Sequence, residues 1–345
     1  MTVVLLIVSW SALLRWPVCV SSFLISFFRR QVILGLDFLF AGYTLCFVIL
    51  FCLALPALAQ DVTADVFDTS GDAGLLTARF LDMITLTGDK SGDATILTSP
   101  DGKVMLIDAG DPGAAGQVVA ALQAMGVTRI DYLIASHPHI DHIGGFPAVM
   151  QAFEIGQVMT SYVEYPTQYY DAYMAEIAAQ NLAHVYLSEG DTFRFGDEVL
   201  VEVLWPGSEI EYYDGYPQSS TQFINNHSLV LKFTYGESTL LFAGDLYSTA
   251  ERELVAEYGD KLDSDVLKAN HHGDKTSSSK PFREAVSAQI VVMISDILSD
   301  LNTYKKFIKD GSDVYITHYN GDVRVSTARD GHYQVLTEQA WEPGF

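Results

Sequence analysis

The most informative stretch of the chain is residues 136–145, which read Ser136-His137-Pro138-His139-Ile140-Asp141-His142-Ile143-Gly144-Gly145. It directly follows the short apolar run Tyr132–Ala135, which predicts a strand. His137 and His139 have the alternate spacing that lets two side chains point the same way. Asp141 and His142 follow on a turn, where a proline and a glycine pair allow the backbone to curl tightly. Four potential ligands at a strand end predict a metal site; a polar loop of surface histidines is the alternative.

Hydrophobic patterning around this stretch predicts strands that alternate with helices. The predicted strands are Leu75–Asp82, Ala94–Ser99, Lys103–Asp108, Tyr132–Ala135, His184–Leu187, Thr192–Phe195, Val199–Leu204, Ser228–Tyr235, Thr239–Ala243, Asp265–Ala269, Val314–Thr317 and Val323–Ser326. The predicted helices are Gly116–Met125, Phe146–Phe153, Tyr170–Asn181, Ser248–Tyr258 and one that begins after Ser279. No linker divides residues 74–337. The pattern therefore predicts one α/β domain with a sheet core and helices outside.

Three further motifs place polar residues at the ends of predicted strands. Asp108 lies in LIDAG, Asp245 ends LLFAGD, and two histidines occur in LKANHHGD. An aspartate at the end of an apolar strand is costly unless it is paired or bound to a metal. The alternative for Asp245 is a helix cap at Ser248.

Together these motifs resemble the metallo-β-lactamase superfamily over about residues 75–330. The longer runs FLDM, GDATILTSPDGKVMLIDAG, NNHSLVLKF, DVLKANHHGDKTSSS and VYITHYNGDVRV are similar to its competence-type branch. That branch includes the hydrolase domain of the DNA-uptake channel and secreted phosphorylcholine esterases of cell-wall teichoic acids. The resemblance implies an αββα sandwich, in which two mixed β-sheets pack together with helices outside, and metal-dependent hydrolysis.

The resemblance also implies two bound metal ions and a set of seven ligands. The predicted ligands are His137, His139, Asp141, His142, His227, Asp245 and His272. The first two histidines would hold one ion, with His227 as an additional ligand or Asn226 as the meaningful residue instead. Asp141, His142 and His272 would hold the other ion, and Asp245 would bridge the two.

The remaining site residues have supporting or catalytic roles in this interpretation. Asp108 supports the metal loop, Asp141 also orients the nucleophile or carries its proton, and His271 faces the substrate. The roles of His271 and His272 could be reversed. His318 is a weaker candidate for the cleft, and the other two histidines, His184 and His332, are predicted to be structural.

Imidazole and carboxylate ligands without thiolate favour zinc, with manganese or iron as alternatives. Two ions would lower the pKa of a bridging water and clamp both oxygens of an in-line displacement. The expected reaction is therefore hydrolysis without a covalent enzyme intermediate.

Two features bear on the substrate. A locally basic stretch, Lys268–Arg283, precedes and enters the helix after Ser279 and could hold a phosphate, or could consist of ordinary solvated lysines. Tyrosines on one segment and in the polar insert Gly207–Asn226 could cage a quaternary ammonium or stack on bases or sugars, or could simply pack. These tyrosines are Tyr162, Tyr165, Tyr169, Tyr170, Tyr173, Tyr212, Tyr213 and Tyr216.

Three function classes follow from these observations. The first is an exported two-metal phosphodiesterase that acts on small-molecule or cell-envelope phosphodiesters. The second is a hydrolase of lactams, esters or thioesters with the same fold. The third is a non-catalytic metal-containing binding module, which the complete ligand set disfavours.

Net charge argues against long nucleic acids as substrates. Residues 1–60 contain three of the 20 basic and one of the 43 acidic side chains, which leaves 17 basic and 42 acidic residues and a net charge of −25 downstream. Such a surface repels polyanions.

The first sixty residues predict export. Arg29 and Arg30 precede an uncharged run, Phe38–Gln60, that ends with an A-x-A pattern typical of signal-peptide cleavage after Ala59. The alternative is an uncleaved anchor, because the run is long enough to span a bilayer. All three cysteines, Cys19, Cys46 and Cys52, lie in this segment, so the predicted hydrolase domain, residues 61–345, can form no disulfide. Contact with a membrane is expected only through residues 1–60.

Overall fold

Two β-sheets form the centre of the part of the chain that this computed structural model describes, residues 64–85, 90–210, 217–296 and 301–341. In chain order the strands are β1 (Leu76–Phe80), β2 (Thr95–Thr98), β3 (Val104–Ile107), β4 (Arg129–Ala135), β5 (Glu154–Thr160), β6 (His184–Tyr186), β7 (Thr192–Phe195), β8 (Val199–Trp205), β9 (Val230–Tyr235), β10 (Ser238–Phe242), β11 (Val266–Lys268), β12 (Ile290–Met293), β13 (Asp313–Ile316), β14 (Val323–Thr327) and β15 (Tyr333–Thr337). The first sheet has the strand order β15-β14-β1-β2-β3-β4-β5-β6, and the second has the order β13-β12-β11-β10-β9-β8-β7.

Both sheets are mixed, and each has a parallel half. Strands β3 to β6 are parallel to one another, as are β10 to β13, whereas the remaining neighbours pair antiparallel. The helices are α1 (Ala64–Phe67), α2 (Ala115–Ala124), α3 (Ile140–Ile143), α4 (Phe146–Ala152), α5 (Gln168–Ala179), α6 (Thr221–Asn226), α7 (Ser248–Tyr258), α8 (Lys280–Val286), α9 (Asn302–Asp310) and α10 (Thr317–Asn320). Two short 3-10 turns cover Gly259–Leu262 and Asn270–Gly273.

Three buried hydrophobic layers explain how the elements pack. Consecutive strand residues point to opposite faces, so Ile134 of β4 enters the core between the sheets while Leu133 enters the core under α2, α4 and α5. Likewise Leu240 of β10 faces the other sheet, and Leu241 packs under α7, α8 and α9. Burial of each such side chain stabilises the fold by about 1.5–3 kcal/mol. The arrangement is an αββα sandwich, which confirms the predicted fold class.

Several elements differ from the prediction. The strands β5, β12 and β15 and the helices α6 and α9 were not among the predicted elements. In β5, Gly156 weakens the strand pattern, yet glycine is required there because a Cβ would lie 2.6 Å from the carbonyl oxygen of Asp131. The edge strand β15 has only half-buried and exposed residues, so it lacks the apolar run of an interior strand.

The predicted signal peptide or anchor, residues 1–60, lies outside the described residues, and so do Tyr212, Tyr213 and Tyr216. Within the described ranges no helix combines the length and the apolar character needed to cross a membrane. The described residues all fall in one compact unit, Val62–Phe345.

Candidate metal centre

Residues that follow the parallel strands of both sheets meet at one edge of the sandwich. In the first sheet, Asp108 follows β3 and His137 follows the adjacent parallel strand β4. In the second sheet, Asp245 follows β10, and the two-histidine motif follows β11, its parallel neighbour. The carboxyl ends of neighbouring parallel strands lie side by side, which brings these distant sequence motifs together.

The loop of residues 136–145, hereafter the first histidine loop, is held by its own backbone. His139 precedes the single-turn helix α3, and its carbonyl oxygen accepts the backbone N–H of His142 at 3.0 Å. Gly145 lies directly against the Asp108–Gly110 segment, where an added Cβ would be 2.0 Å from the carbonyl oxygen of Ala109. The glycine is therefore a steric requirement of the loop.

His137 and His139 present converging ring nitrogens. His137 Nε2 lies 2.9 Å from His139 Nδ1 and 3.9 Å from Asp245 Oδ2. Burial lowers the pKa of His137 and lowers the pKa of His139 to about 4. Both rings are consequently neutral at pH 7, which is the form that binds a metal.

A second group of donors converges on the same aspartate. One ligand atom each of Asp141, His142 and His272 lies within 4.8 Å of the others. Asp245 Oδ2 is 3.3 Å from His142 Nε2 and 3.5 Å from His272 Nε2, while Asp141 Oδ2 is 3.4 Å from His272 Nε2. Asp245 thus lies at the centre of both groups of donors.

Asp108 orients His142, as the sequence predicts for a supporting residue. Its carboxylate accepts from His142 Nδ1 at 2.8 Å and from the backbone N–H and hydroxyl of Ser136 at 2.7 and 2.6 Å. A hydrogen bond to Nδ1 fixes the ring orientation and leaves Nε2 available to a metal.

Asp93 and Lys268 lie beside His272, whose Nδ1 is hydrogen-bonded to the Ile294 carbonyl oxygen at 3.2 Å, and sequence reasoning missed this pair. Asp93 Oδ1 lies 2.9 Å from His272 Nδ1, and its other oxygen forms an ion pair with the buried ammonium of Lys268. Burial alone would raise the pKa of Asp93, but the charges of Lys268 and His272 outweigh it and lower that pKa. A lysine at the end of the apolar strand β11 was the available signal, because such a residue needs a buried carboxylate partner.

His271 lies beside the donor groups and has its own supporting chain. Its Nδ1 is 2.6 Å from Thr276 Oγ1, and the Thr276 hydroxyl donates to Asp274 at 3.0 Å. His271 Nε2 is 3.7 Å from Asp245 Oδ2, and the His271 ring lies 4.9 Å from that of Tyr247. His272, rather than His271, belongs to the sets of converging donors among the described residues.

His227 is placed differently from the other predicted ligands. Its Nδ1 donates to the carbonyl oxygen of Phe223 at 2.7 Å, and its ring packs on the Phe223 ring. Within the described part of the chain, the sets of three or more converging donors include neither His227 nor His139, but His139 contacts His137, a member of one set.

Apart from the predicted ligands and His271, the remaining three histidines make local contacts. His184 Nε2 is hydrogen-bonded to the Thr160 hydroxyl at 3.0 Å, and His332 pairs with Asp330 on the surface. The His318 ring packs on that of Tyr319.

The chemistry of the converging donors fits a divalent metal. His139 Nε2, His142 Nε2, His272 Nε2 and Asp245 Oδ1 are buried and make no hydrogen bond to another described residue. Burial disfavours a charged His142, yet the carboxylates of Asp245 and Asp108 outweigh it and raise its pKa. The site therefore favours a positive charge, which a metal ion would supply.

Comparison with known proteins finds a family model that matches part of the chain. Residues 87–215 match the family model described as "Metallo-beta-lactamase superfamily". The chain carries a metallo-beta-lactamase domain. Proteins of this superfamily are generally metal-dependent hydrolases.

Among its relatives, the chain is 32% identical to "Competence protein ComA" of Neisseria gonorrhoeae over 219 residues, which are 63% of this chain and 27% of ComA. It is 24% identical to "ComE operon protein 3" of Bacillus subtilis (strain 168), over 51% of this chain and 21% of the relative. The chain thus matches less than a third of the length of either curated relative. A solved structure with a similar arrangement is MEM-A1, a subclass B3 metallo-beta-lactamase from a soil metagenome library, with 14% identity, a TM-score of 0.40, and coverage of 62% of this chain and 89% of that chain.

Two cations of the basic stretch Lys268–Arg283 are not available for the predicted phosphate site. Lys268 is buried against Asp93, and Arg283 is buried with its Nε 2.6 Å from Asp310. The start of α8 is occupied as well, because the carboxylate of Glu251 accepts the backbone N–H of Ser279. The prediction is wrong at these positions, since internal carboxylates already neutralise the charges.

The described tyrosines have different environments. The Tyr165 ring lies 5.3 Å from that of His139, at the edge of the donor groups. Tyr173 is buried against Phe146, which is core packing. Tyr162 is exposed and stacks on Tyr186 with 5.2 Å between ring centroids. Tyr165 is thus the described tyrosine with a ring contact to the predicted ligands of the first histidine loop.

Proposed function

We propose that the protein is an exported, two-metal hydrolase of phosphodiesters. The observation that carries the proposal is the convergence of two groups of histidine and aspartate donors on one buried carboxylate, that of Asp245. In this proposal His137 and His139 hold one ion, Asp141, His142 and His272 hold the other, and Asp245 is shared.

Zinc is the proposed metal, because the donors are imidazole nitrogens and carboxylate oxygens without thiolate. When bound, two such ions supply Lewis acidity that activates water and stabilises the charge of an in-line displacement at phosphorus. The protein contributes preorganised donors, since Asp108 and Asp93 orient the rings of His142 and His272.

His271 is suited to accept a proton at the mouth of the site. Because the Thr276 hydroxyl donates to Asp274, its oxygen accepts from His271 Nδ1 and leaves Nε2 as the acceptor atom. Burial lowers the pKa of His271, which favours the neutral ring. Asp141 is the second proposed catalytic group, as its carboxylate lies between the two loops and can orient the attacking water.

Small phosphodiesters are the proposed substrates, including esters attached to the cell envelope. A net charge of −25 outside the first sixty residues opposes a long nucleic acid, and Lys268 and Arg283 of the basic stretch are used in internal ion pairs. Lactam, ester and thioester hydrolysis are the alternatives that the same donor set would permit.

The test is hydrolysis of bis(p-nitrophenyl) phosphate by the purified protein with added zinc or manganese. Turnover should disappear in His139→Ala and persist in His332→Ala, a control that changes an exposed histidine outside the centre. A metal-loaded protein that leaves this diester intact but opens a chromogenic cephalosporin would contradict the proposal.

The proposed export requires its own measurement. Fusion of alkaline phosphatase behind residue 60 should give active phosphatase, because that enzyme needs an oxidising compartment to form its disulfides. An inactive fusion alongside an active control carrying an established signal peptide would overturn the exported location.

A further inference from the structure

One buried carboxylate lies outside the metal centre and contacts both ends of the segment that carries the late histidines. Glu251, on α7, is fully buried. Among the described residues, its recorded hydrogen bonds do not involve the side chain of a predicted metal ligand. Its carboxylate accepts from the Asn270 side-chain amide at 2.9 Å, from the backbone N–H of Ser278 at 2.5 Å and from that of Ser279 at 2.7 Å. The segment Asn270–Ser279, hereafter the second histidine loop, is therefore closed across a single side chain.

This loop has an unfavourable backbone conformation. His271, His272 and Ser278 all have positive φ, at 48°, 56° and 55°. Residues with a Cβ rarely adopt this region, because the side chain approaches the backbone carbonyl oxygen too closely. Two adjacent histidines in the left-handed conformation require contacts that hold them there.

Other contacts orient the rings or fix only part of the backbone. Asp93 and Thr276 act on the imidazoles of His272 and His271. The backbone N–H of His271 donates to Gly244, which holds the beginning of the loop. At the end of the loop, Arg283 donates to the carbonyl oxygen of Ser278, and Glu251 accepts from the N–H of the same residue. Glu251 joins the beginning of the loop, at Asn270, to its end, at Ser278 and Ser279.

We propose that Glu251 is a positioning residue that keeps the second histidine loop in the conformation presenting His272 to the second metal ion. The inference rests on the metal ligands of the proposed function and is independent of the phosphodiester substrate. Glutamine at this position would keep the size of the side chain but replace one acceptor oxygen with an NH2 group. That group cannot accept a backbone N–H, so one clamp contact would become repulsive.

The experiment compares wild type, Glu251→Gln and Glu257→Gln, the last being an exposed glutamate on the same helix. Zinc and Co²⁺ are titrated into metal-free protein, with the Co²⁺ absorption spectrum as a second readout. In Glu251→Gln the second metal equivalent should bind about 10- to 100-fold more weakly. Glu251→Gln should bind the first metal equivalent with the affinity of wild type. Glu257→Gln should bind both equivalents with the affinities of wild type. Unchanged binding of both equivalents by Glu251→Gln would overturn the proposal.

A rescue variant separates positioning from general stabilisation. Ser278→Gly removes the Cβ at a positive φ, so the loop needs less restraint. Glu251→Gln combined with Ser278→Gly should regain much of the second-metal affinity and the wild-type Co²⁺ spectrum. If Glu251→Gln only disturbs the packing of α7, both the single and the double variant should have a lowered melting temperature, and the double variant should not regain metal affinity. That result would reject the positioning role.

Two further outcomes are distinguishable. If Glu251→Gln does not fold, Asn270→Ala removes one donor to the same carboxylate, and it should weaken the second equivalent while sparing the first. Unchanged metal binding by that variant would count against the clamp. Failure of wild type to bind any metal would reject the proposed ligand set, whereas a two-metal wild type without phosphodiesterase activity would reject the substrate and leave the clamp standing.

Discussion

The first and second histidine loops contribute to the same centre but are held in different ways. In the first loop, a short helix and backbone hydrogen bonds within the loop hold His137, His139 and His142, and supporting contacts from outside come from the short segment Asp108–Gly110. In the second loop, His271 and His272 have positive φ, and the contacts around them come from other parts of the chain, including Asp93 and Glu251. The conformation of the first loop is thus largely encoded in its own short motif. The strained backbone of the second loop depends on residues from other parts of the chain.

The largest effect is expected where the two loops meet. Asp245 lies within 4 Å of ring nitrogens from both loops, so Asp245→Ala should remove a ligand from both proposed ions. The loss of several kcal/mol of transition-state stabilisation corresponds to at least about a 10³-fold drop in kcat/KM. Metal analysis and diester turnover on the same sample measure it. Retention of two metals and of turnover would show that the loops do not share this carboxylate.

The supporting carboxylates of the two loops should respond unequally to neutralisation. Asp93→Asn removes the nearer carboxylate of the buried Lys268 ammonium, whose Nζ is then left with the 4.0 Å contact to Asp245, and it should cost about 3–5 kcal/mol of unfolding free energy. Asp108→Asn leaves no buried lysine behind, because Asp108 contacts Ser136 and His142, so the loss should be smaller. Urea unfolding of both metal-free variants measures the difference.

The double variant Asp93→Asn with Lys268→Met provides the control. It removes both charges together and should be more stable than Asp93→Asn alone. Equal stability of the single and double variants would mean that the ion pair does not support the second loop.

Glycine substitutions should have opposite effects in the two loops. Gly145→Ala places a Cβ against the Ala109 carbonyl and should destabilise the first loop by about 1–3 kcal/mol. Ser278→Gly relieves a left-handed serine and should be neutral or stabilising by up to about 1 kcal/mol. Thermal unfolding of the two variants side by side tests this. Comparable destabilisation by both would mean that the second loop is not strained.

The two loops also explain what sequence reasoning could predict. Residues 136–145 contain both the ligands and the turn residues that arrange them, so the first loop and its fold were evident from one short stretch. Asp93 reaches Lys268 from another sheet and a distant part of the sequence, and Glu251 reaches the second histidine loop from the preceding helix. These contacts form only through strand order and helix packing. Their residue types are ordinary, and without tertiary contacts nothing distinguished Glu251 from the other glutamates of α7.

The same limit applies to the basic stretch. Lys268 and Arg283 are cations close to a histidine motif in sequence, which favoured a phosphate site. The structure buries both against Asp93 and Asp310, because a cation on an apolar strand or inside a helix interface needs a carboxylate partner. The sequence shows that the two cations are present, but it does not show that their side chains point into the protein interior.

The smallest effect concerns two partly buried carboxylates, Asp82 and Asp322, for which the described residues provide no cationic partner, unlike the carboxylates of the two loops. Burial and the nearby charge of Asp322 raise the pKa of Asp82 to about 7, and burial raises that of Asp322 to about 6. A raised folded-state pKa means that the folded protein holds the proton more tightly than the unfolded chain. The resulting stabilisation is present at low pH and is lost as the pH rises through about 7.

Asp82→Asn should therefore make the stability of the fold less dependent on pH between pH 5 and pH 8. Asp245 and Asp93 do not contribute to this pH dependence, because their pKa values are lowered. Because Asp82 is half-exposed, the expected gain at pH 8 is only about 1 kcal/mol. Melting temperatures of wild type and Asp82→Asn between pH 5 and pH 8 should diverge as the pH increases, while the exposed Asp171→Asn control should follow wild type. Parallel curves for all three proteins would mean that the protons released over this range come from the histidine loops instead.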